Sequence, residues 1–371
     1  MLGIELFVLY LALFVPLIWG IRLVNWTLAA LIMVAASLVL IWAFSPVLLV
    51  YLALQFLFVL GLHHIRHWVP DRFRPSYLWL TFAGLLPLNL ATQVQSAPNF
   101  DLLQAAVGGP DLPNVFWTLG ATFFVLKSFI IVREAEKLGR FPVLPALLAL
   151  SFVPAFSAGP ITGAAVWQRQ GWASSISLND IGQAVMKIGW GAASLYVISP
   201  FLGDLEVPGF LSGAPELMLV YTKFAALFFD FAGYSLMAIG AAALFGVTLP
   251  VNFNRPYLAT SIREFWRRWH MSLSNFISTY LFKPFVRATG SQRWGIFLAF
   301  VCAGIWHEFS LAYLVWGVGH GFALSLNTKV PGWWDRSMAV LPNWLANGFG
   351  WFLTMTWVAL LSRIATNWIS I

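Results

Sequence analysis

Residues 294–326 read WGIFLAFVCAGIWHEFSLAYLVWGVGHGFALSL, and this stretch sets the pattern of the whole chain. Two apolar runs are separated only by His307 and Glu308. Runs of roughly 18 or more apolar residues are typical of transmembrane helices, and similar runs recur along the whole sequence. The 371 residues are 60% hydrophobic and 9% charged, whereas soluble domains are about a quarter charged. The sequence therefore predicts an all-α polytopic membrane protein, and it excludes a soluble enzyme, a disordered chain and a secreted disulfide scaffold.

Interruptions in the apolar runs divide the chain into about ten or eleven membrane-embedded helices, some of them too short to cross a hydrocarbon core of roughly 30 Å. The chain shows no internal repeat and no linker, so we expect residues 1–371 to form a single domain. The predicted helices are 2–20, 26–44, 47–64, 77–92, 115–132, the proline-broken 141–160, 181–199, 217–245, 294–306, 309–326 and 344–364.

The charge of the loops predicts how the chain crosses the membrane. Loops after the odd-numbered helices carry Arg and Lys, whereas segments 93–114 and 201–215 carry only acidic charges. Because cytoplasmic loops are enriched in Lys and Arg, the basic loops are predicted to be cytoplasmic and the N-terminus outside. The net charge is +7 and the pI is near 9.7. We attribute this excess to the same bias and to contact with anionic membrane lipids, not to nucleic acid.

The stretch 141–170 does not fit a simple crossing. The loop charges place its two ends on the same side of the membrane, although the stretch is largely apolar. It contains Pro142, Pro145, Pro154 and Pro160, and proline breaks helices. Irregular backbone survives at membrane depth only where protein or water surrounds it. We therefore predict a re-entrant element that enters from the cytoplasmic face; the alternative is a short kinked span beside a miscounted neighbour.

The most polar stretch of the chain, 252–293, predicts an amphipathic helix with a basic face. Apolar and aromatic residues recur at helical spacing from Ile262 to Tyr280, and Arg and Lys residues lie between them. Such a pattern is typical of a helix with one buried side. It suits the cytoplasmic membrane interface or the wall of a polar cavity.

Histidines are the first candidates for chemistry, because ionisable groups at membrane depth are costly to bury and functional by default. His307 lies between two apolar runs, and imidazole is the side chain whose ordinary pKa suits proton transfer near neutral pH. The alternative is a core histidine that hydrogen-bonds to the backbone of a helix. His270 lies on the basic amphipathic segment. For His320, which is flanked by glycines, we prefer close helix packing as the explanation. Asp230 is an isolated acid in an apolar run and needs a partner.

Other catalytic motifs are missing from the sequence. It has no glycine-rich phosphate loop, no serine-nucleophile elbow and no Cys/His spacing for a metal, so no metal is expected. The residues by themselves leave three classes open: an enzyme, a proton-coupled transporter and a channel.

Short segments between residues 152 and 321 carry a recognisable set of motifs. They read FVPAFSAGPI at 152–161, FDFAGYS at 229–235, PVNFNRPY at 250–257, EFWRRWHMSLS at 264–274, YLFKP at 280–284 and GIWH at 304–307. This set resembles the membrane-bound O-acyltransferase (MBOAT) family. The resemblance is strongest to its bacterial branch of alginate O-acetyltransferases and the teichoic-acid D-alanyl transfer protein.

The resemblance implies a ring of helices around a thin centre, with funnels from both faces that meet at a buried histidine. It implies that His307 is the catalytic histidine and that His270 is a second functional histidine in the tunnel. Trp306, Asp230 and Glu308 are expected to support this site. It also implies a multi-pass protein of the bacterial inner membrane.

Two features depart from the family pattern. Glu308 stands where relatives usually have glycine, and two roles stay open for its carboxylate: orienting the imidazole, or pointing into the acceptor funnel. The segment after Gly159 and Pro160 reads TGAA at 162–165 and lacks the usual charged motif. These differences leave the fold untouched but bear on the identity of the acceptor.

The activity that the resemblance implies is transfer of an acyl group, expected to be acetyl, from a cytoplasmic thioester to a hydroxyl. The expected donor is acetyl-coenzyme A or an acyl carrier. The expected acceptor is an exported polysaccharide, reached through an outer-face acyltransferase partner. D-alanyl transfer toward teichoic acid, O-acylation of a lipid and a proton-coupled transporter stay open as alternatives.

Within this scheme His307 is expected to take the hydroxyl proton. His270, Asn254 and a backbone N–H are, in that order, the candidates to stabilise the oxyanion. The cations expected to attract the donor phosphates are Arg263, Arg267, Arg268 and Lys283. The alternative explanation for these cations is the positive-inside bias alone.

Overall fold

The computed structural model describes residues 4–22, 24–44, 46–70, 114–156, 158–168, 172, 175–205, 215–326 and 341–367. Its regular elements are helices, and an isolated antiparallel bridge between Trp172 and Val247 is the only strand-like pairing among these residues. The helices are α1 (Ile4–Arg22), α2 (Trp26–Phe44), α3 (Pro46–Ile65), α4 (Asn114–Leu138), α5 (Val143–Ser151), α6 (Leu178–Ala193), α7 (Ser199–Gly203), α8 (Pro215–Leu244), α9 (Ile262–Arg268), α10 (Met271–Phe276), α11 (Lys283–Thr289), α12 (Gln292–His307), α13 (Leu311–Leu326) and α14 (Asn343–Asn367).

Most of the predicted apolar runs are helices with nearly the predicted bounds. Within the described ranges, five helical stretches are long and apolar enough to cross a membrane: Trp26–Ala43, Leu48–Ile65, Leu178–Gly203, Met218–Leu244 and Asn343–Thr366. The all-helical prediction is therefore confirmed. The predicted run 77–92 lies outside the described residues, and the ring of ten or eleven helices stays a prediction.

The outer surfaces of the first helices are apolar. Leu13, Trp42 and Leu57 are 58%, 59% and 60% exposed. In water such surfaces would be unfavourable, whereas a helix that is hydrophobic all round is typical of a membrane span. The surface pattern therefore agrees with several helices that face lipid.

The chain folds as two compact units. The first comprises residues 1–190 and 235–250, and the second comprises residues 191–234 and 251–371. The division falls within α6 and within α8. All of the candidate functional residues named above belong to the second unit. The expected single domain stays a prediction.

In the first unit, the described part of the proline-rich stretch, residues 141–156 and 158–168, contains one short helix followed by irregular backbone. Helix α5 has nine residues, so it is about 14 Å long and too short to cross a membrane. Short 3₁₀ turns follow at Val153–Ala155 and Ala165–Trp167. The Glu134 carboxylate accepts a hydrogen bond of 3.0 Å from the Ala165 N–H. The predicted break in the helix is present, and entry from the cytoplasmic face stays a prediction.

In the second unit, the amphipathic stretch 252–293 is not one continuous helix, and this prediction was wrong. Helix α9 ends before Trp269, which is extended, and His270 has a left-handed backbone with φ 41° before α10 begins. A π-helical stretch, Ile277–Phe282, then joins α10 to α11. The apolar side of this stretch is buried as predicted, because Ile262, Phe265 and Leu273 are buried.

Candidate active site

His307 is the last residue of α12, where the helix ends against the extended residue Glu308. Three aromatic rings surround its imidazole. The Trp306 ring centroid lies 4.5 Å away, Tyr313 stacks on the imidazole at 5.5 Å, and Trp316 meets it edge-on at 5.4 Å. The imidazole is thus enclosed on its sides by flat, rigid groups.

His307 as a residue is partly buried, and none of the described residues hydrogen-bonds to its ring. The neighbouring apolar residue Trp306 is, by contrast, 4% exposed. An imidazole with no hydrogen-bond partner of its own can accept a proton from a molecule that enters the site. This combination is what a general base needs.

Two glycines bring the helices around His307 into backbone contact. A Cβ atom at Gly304 would lie 2.3 Å from the carbonyl oxygen of Tyr313, and one at Gly317 would lie 2.6 Å from the carbonyl oxygen of Phe300. Only glycine allows α12 and α13 to pack this closely. The packing places Tyr313 and Trp316 of α13 directly beside the His307 ring.

His270 lies in the sharp turn between α9 and α10. Left-handed backbone is uncommon outside glycine, although histidine adopts it more readily than most residues. The side chain is 2% exposed, and its ring packs edge-on against Phe231 with a centroid distance of 4.7 Å. His270 is therefore enclosed where His307 is open.

The two histidines lie within electrostatic range of each other. His270 lies outside the candidate spanning helices. Burial, and after it the neighbouring His307 imidazole, lower the pKa of the His270 side chain well below its ordinary value. A proton on His307 therefore disfavours a proton on His270, so the pair holds one proton more readily than two.

Asn252 is a site residue that the sequence reasoning missed. Its side chain is fully buried, and its Oδ1 accepts hydrogen bonds from the Ser272 hydroxyl at 2.8 Å and the Ser272 N–H at 3.3 Å. Its backbone carbonyl accepts a further bond of 2.8 Å from the Met271 N–H. Asn252 thus braces the turn that holds His270.

Asn254, the asparagine chosen from the sequence, is exposed, and its backbone N–H donates to the Arg268 carbonyl at 2.9 Å. In a regular strand, residues two apart have their side chains on the same face, so Asn252 and Asn254 would share a face. This segment is not a regular strand, and the next residue, Arg255, has a left-handed φ of 48°. The repeated Asn in PVNFN was the available signal, and it did not say which of the two is buried.

The predicted donor-binding cations do not all have the same surroundings. Arg268 forms an ion pair of 2.5 Å with Glu264, whose carboxylate also accepts the Thr260 N–H at 2.8 Å. The Thr260 N–H and Arg268 hold the pKa of the Glu264 carboxyl below its ordinary value. Arg268 is therefore committed to an intramolecular partner. The cations with exposed side chains are Arg263, Arg267 and Lys283.

The three predicted supporting residues differ as well. Trp306 is buried against the His307 ring. Glu308 is partly exposed and follows His307 directly, but no hydrogen bond joins it to the imidazole among the described residues. Asp230 is also partly exposed, and it has no hydrogen bond or ion pair within the described part of the chain. The partner expected for Asp230 is therefore not found there.

The part of the chain that the structure describes gives no support for metal binding. There, no group of three or more His, Cys, Asp or Glu side chains is arranged to hold a metal ion. The expectation of a metal-free site stays a prediction.

These features define a class of protein: a multi-pass helical membrane protein with a partly exposed histidine beside a buried one. Residues 214–367 match the family model of MBOAT, the membrane-bound O-acyltransferase family. This match, over about two-fifths of the chain, agrees with the resemblance drawn from the motifs. The matched region contains both histidines and every predicted donor-binding residue.

Relatives with the names of the predicted bacterial branch match the chain, and so does a peptidoglycan O-acetyltransferase. A teichoic acid D-alanyltransferase of Bacillus subtilis is 25% identical over 274 residues, 68% of this chain and 66% of the relative. A Pseudomonas syringae protein named "Probable alginate O-acetylase AlgI" is 29% identical over 285 residues, 70% of this chain and 53% of the relative. A peptidoglycan O-acetyltransferase of Helicobacter pylori is 38% identical over 138 residues, 36% of this chain and 25% of the relative. The chain thus spans about two-thirds or less of the length of these relatives.

Proposed function

We propose that this protein is an O-acyltransferase that moves an acyl group from a thioester donor to a hydroxyl acceptor, with His307 as the general base. The single observation that carries the proposal is the His307 ring, held by aromatic rings and without a hydrogen-bond partner among the described residues. The match to the MBOAT family model and the names of the relatives support the class of reaction.

The proposed reaction balances with His307 as a proton carrier. The hydroxyl oxygen attacks the thioester carbonyl carbon while His307 takes the hydroxyl proton. The new C–O bond gives a tetrahedral oxyanion, which then collapses as the C–S bond breaks. The thiolate leaves and takes the proton from the imidazolium. His307 returns to its neutral form, and the products are an ester and a free thiol.

We propose acetyl-coenzyme A as the donor. Exposed Arg267 and Lys283, with Arg263, supply positive charge that attracts the donor phosphates. Arg268 has a lesser part, because Glu264 already neutralises it. His270 is the first candidate to stabilise the oxyanion, since it lies within electrostatic range of His307.

The acceptor we propose is an exported polysaccharide, or an outer-face protein that relays the acetyl group to one. The protein would then lie in the bacterial inner membrane with its N-terminus outside, as the loop charges predict. D-alanyl transfer toward teichoic acid is the second candidate, and the D-alanyltransferase relative, which matches over 68% of this chain, is the observation that favours it.

Purified protein in lipid nanodiscs, supplied with labelled acetyl-coenzyme A or with a D-alanyl carrier protein, tests the proposal. We expect acceptor-dependent release of free thiol from acetyl-coenzyme A and slower release from the D-alanyl carrier. The reverse preference would select D-alanyl transfer. A transporter would instead accumulate substrate in proteoliposomes without consuming either thioester, and that result would overturn the proposal.

A further inference from the structure

We propose that His320 is a positioning residue for the acyl transfer. It fixes the Trp266 indole, which packs against Trp316, one of the aromatic rings beside His307. This inference rests on the proposed function. The sequence favoured a packing role for His320, but in the structure it also accepts a hydrogen bond from Trp266. It is the most deeply buried histidine of the second unit, with 0% exposure, and it lies on α13 one turn after Trp316.

The first step is a hydrogen bond between two buried rings. The Trp266 indole N–H donates to Nδ1 of His320 at 3.3 Å. An indole nitrogen is a donor only, so Nδ1 must carry a lone pair and the hydrogen of His320 must be on Nε2. The bond therefore requires a neutral imidazole in one defined tautomer.

The second step follows the rings from His320 to His307. Trp266 meets Trp316 edge-on at 5.6 Å, and Trp316 meets both His320 at 4.8 Å and His307 at 5.4 Å. Trp316 is thus held between Trp266 and the two histidines. Edge-to-face ring contacts have a preferred geometry, so a tilt of Trp266 would be passed on to Trp316 and then to His307.

The third step concerns what orients the catalytic ring. In many enzymes the base is oriented by a hydrogen bond to a third group. No described residue supplies such a bond to His307, so its orientation depends on the rings around it. A base that is misplaced by about 1 Å can lose on the order of 10²-fold in rate. The Trp266–His320 bond is therefore placed to affect catalysis without any contact with the substrate.

A fourth observation argues against packing as the only role of His320. Its Nε2 is buried and has no hydrogen-bond partner among the described residues. A buried N–H without an acceptor is unfavourable, and leucine at this position would avoid it. A role limited to packing therefore predicts that His320→Leu is at least as stable and as active as the wild type.

The test compares His320→Leu with His320→Asn, because an asparagine oxygen can take the place of Nδ1 and accept from Trp266. Steady-state kinetics with acetyl-coenzyme A should show kcat lowered about tenfold in His320→Leu, with the donor KM within about twofold of wild type. His320→Asn should recover kcat to within about threefold. Trp266→Phe should resemble His320→Leu, and the double variant should be no worse than either one.

Matched controls are Trp294→Phe, an exposed tryptophan of α12, and His64→Leu on α3; both should keep wild-type kinetics. Wild-type kcat in His320→Leu, or equal loss in the Leu and Asn variants, would overturn the inference. If neither His320 variant folds, Trp266→Phe decides: a normal kcat contradicts the proposal. If His307→Gln stays active, the proposed function itself fails; if His307 is required and His320→Leu is fully active, only this inference fails.

Discussion

Two ionisable side chains, Lys127 and His307, have opposite surroundings. Lys127 on α4 is 1% exposed, and its Nζ donates to the Ala155 carbonyl at 2.6 Å. His307 is partly exposed and receives no hydrogen bond from any described residue. One group is closed and tied to the backbone, whereas the other is open and held only by aromatic rings.

Polar residues near Lys127 are also buried and hydrogen-bonded. The next residue, Ser128, accepts a bond of 3.0 Å from the fully buried Gln55. The described residues offer no carboxylate to Lys127, and its hydrogen-bond partner among them, Ala155, belongs to the proline-rich stretch after α5. We interpret Lys127 as an anchor for that irregular backbone. We therefore expect chemistry at His307 and not at Lys127.

The largest expected effect on stability comes from Lys127→Ala. It removes a buried side chain of four methylenes and leaves the Ala155 carbonyl without its donor, so the free energy of unfolding should fall by about 2–5 kcal/mol. Thermal unfolding in detergent measures this loss. Activity should fall only in proportion to the folded fraction. A stable Lys127→Ala protein without activity would contradict the comparison, since it would make Lys127 a chemical residue.

The contact between α12 and α13 is expected to have the next largest effect. Gly304→Ala would put a Cβ 2.3 Å from the Tyr313 carbonyl oxygen, so the helices must separate, at a cost of about 1–3 kcal/mol. The matched control is Gly348→Ala on α14, where nothing lies within 4 Å of the added Cβ. This control should gain about 0.5–1 kcal/mol, because alanine favours helix. Equal melting temperatures for the two variants would show that the close packing is not needed.

Asn252 and Asn254 test whether the His270 turn is braced as the hydrogen bonds indicate. Asn252→Ala leaves Ser272 without its acceptor in a buried position and should lower stability by about 1–3 kcal/mol. Asn254→Ala removes an exposed side chain and should change it by less than about 0.5 kcal/mol. The melting temperature and the rate of thiol release should each be lower for Asn252→Ala than for Asn254→Ala. Similar behaviour would show that Asn252 has no special role.

The smallest effect is expected at the exposed cations. Arg267→Gln with Lys283→Gln should raise the KM for acetyl-coenzyme A a few-fold, and the increase should shrink at high salt because exposed charges are screened. Arg268→Gln is the control, since this arginine already pairs with Glu264. A larger increase in KM for Arg268→Gln than for the double variant would show that the ion pair opens to bind the donor.

The sequence was sufficient for features that depend on local pattern. Apolar runs predicted α2 at 26–44, the residues of the observed helix, and they also predicted α14 closely. The glycines around His320 likewise predicted close helix packing, which the contact between α12 and α13 at Gly317 shows. These features follow from composition and spacing, which need no knowledge of distant contacts.

Features that depend on tertiary contact were missed. Lys127 reads as one lysine in an apolar run, and nothing in the sequence shows that residues around Ala155 close over it. The break at His270 was missed because Trp269 continues the helical spacing of apolar residues, whereas the turn is held by contacts with distant residues, among them the bonds that Asn252 accepts. His320 was assigned to packing because its partner Trp266 is 54 residues away in the chain.

The rate of labelled acetyl transfer from acetyl-coenzyme A to a hydroxyl acceptor, measured for wild type, His307→Gln and His64→Gln, tests the central claim most directly. The account predicts that His307→Gln lowers the rate by about 10²–10⁴-fold, the usual contribution of a general base, while its melting temperature stays near that of the wild type. His64→Gln should match the wild type. A His307→Gln protein that transfers acetyl within tenfold of the wild-type rate would contradict the assignment of His307 as the base.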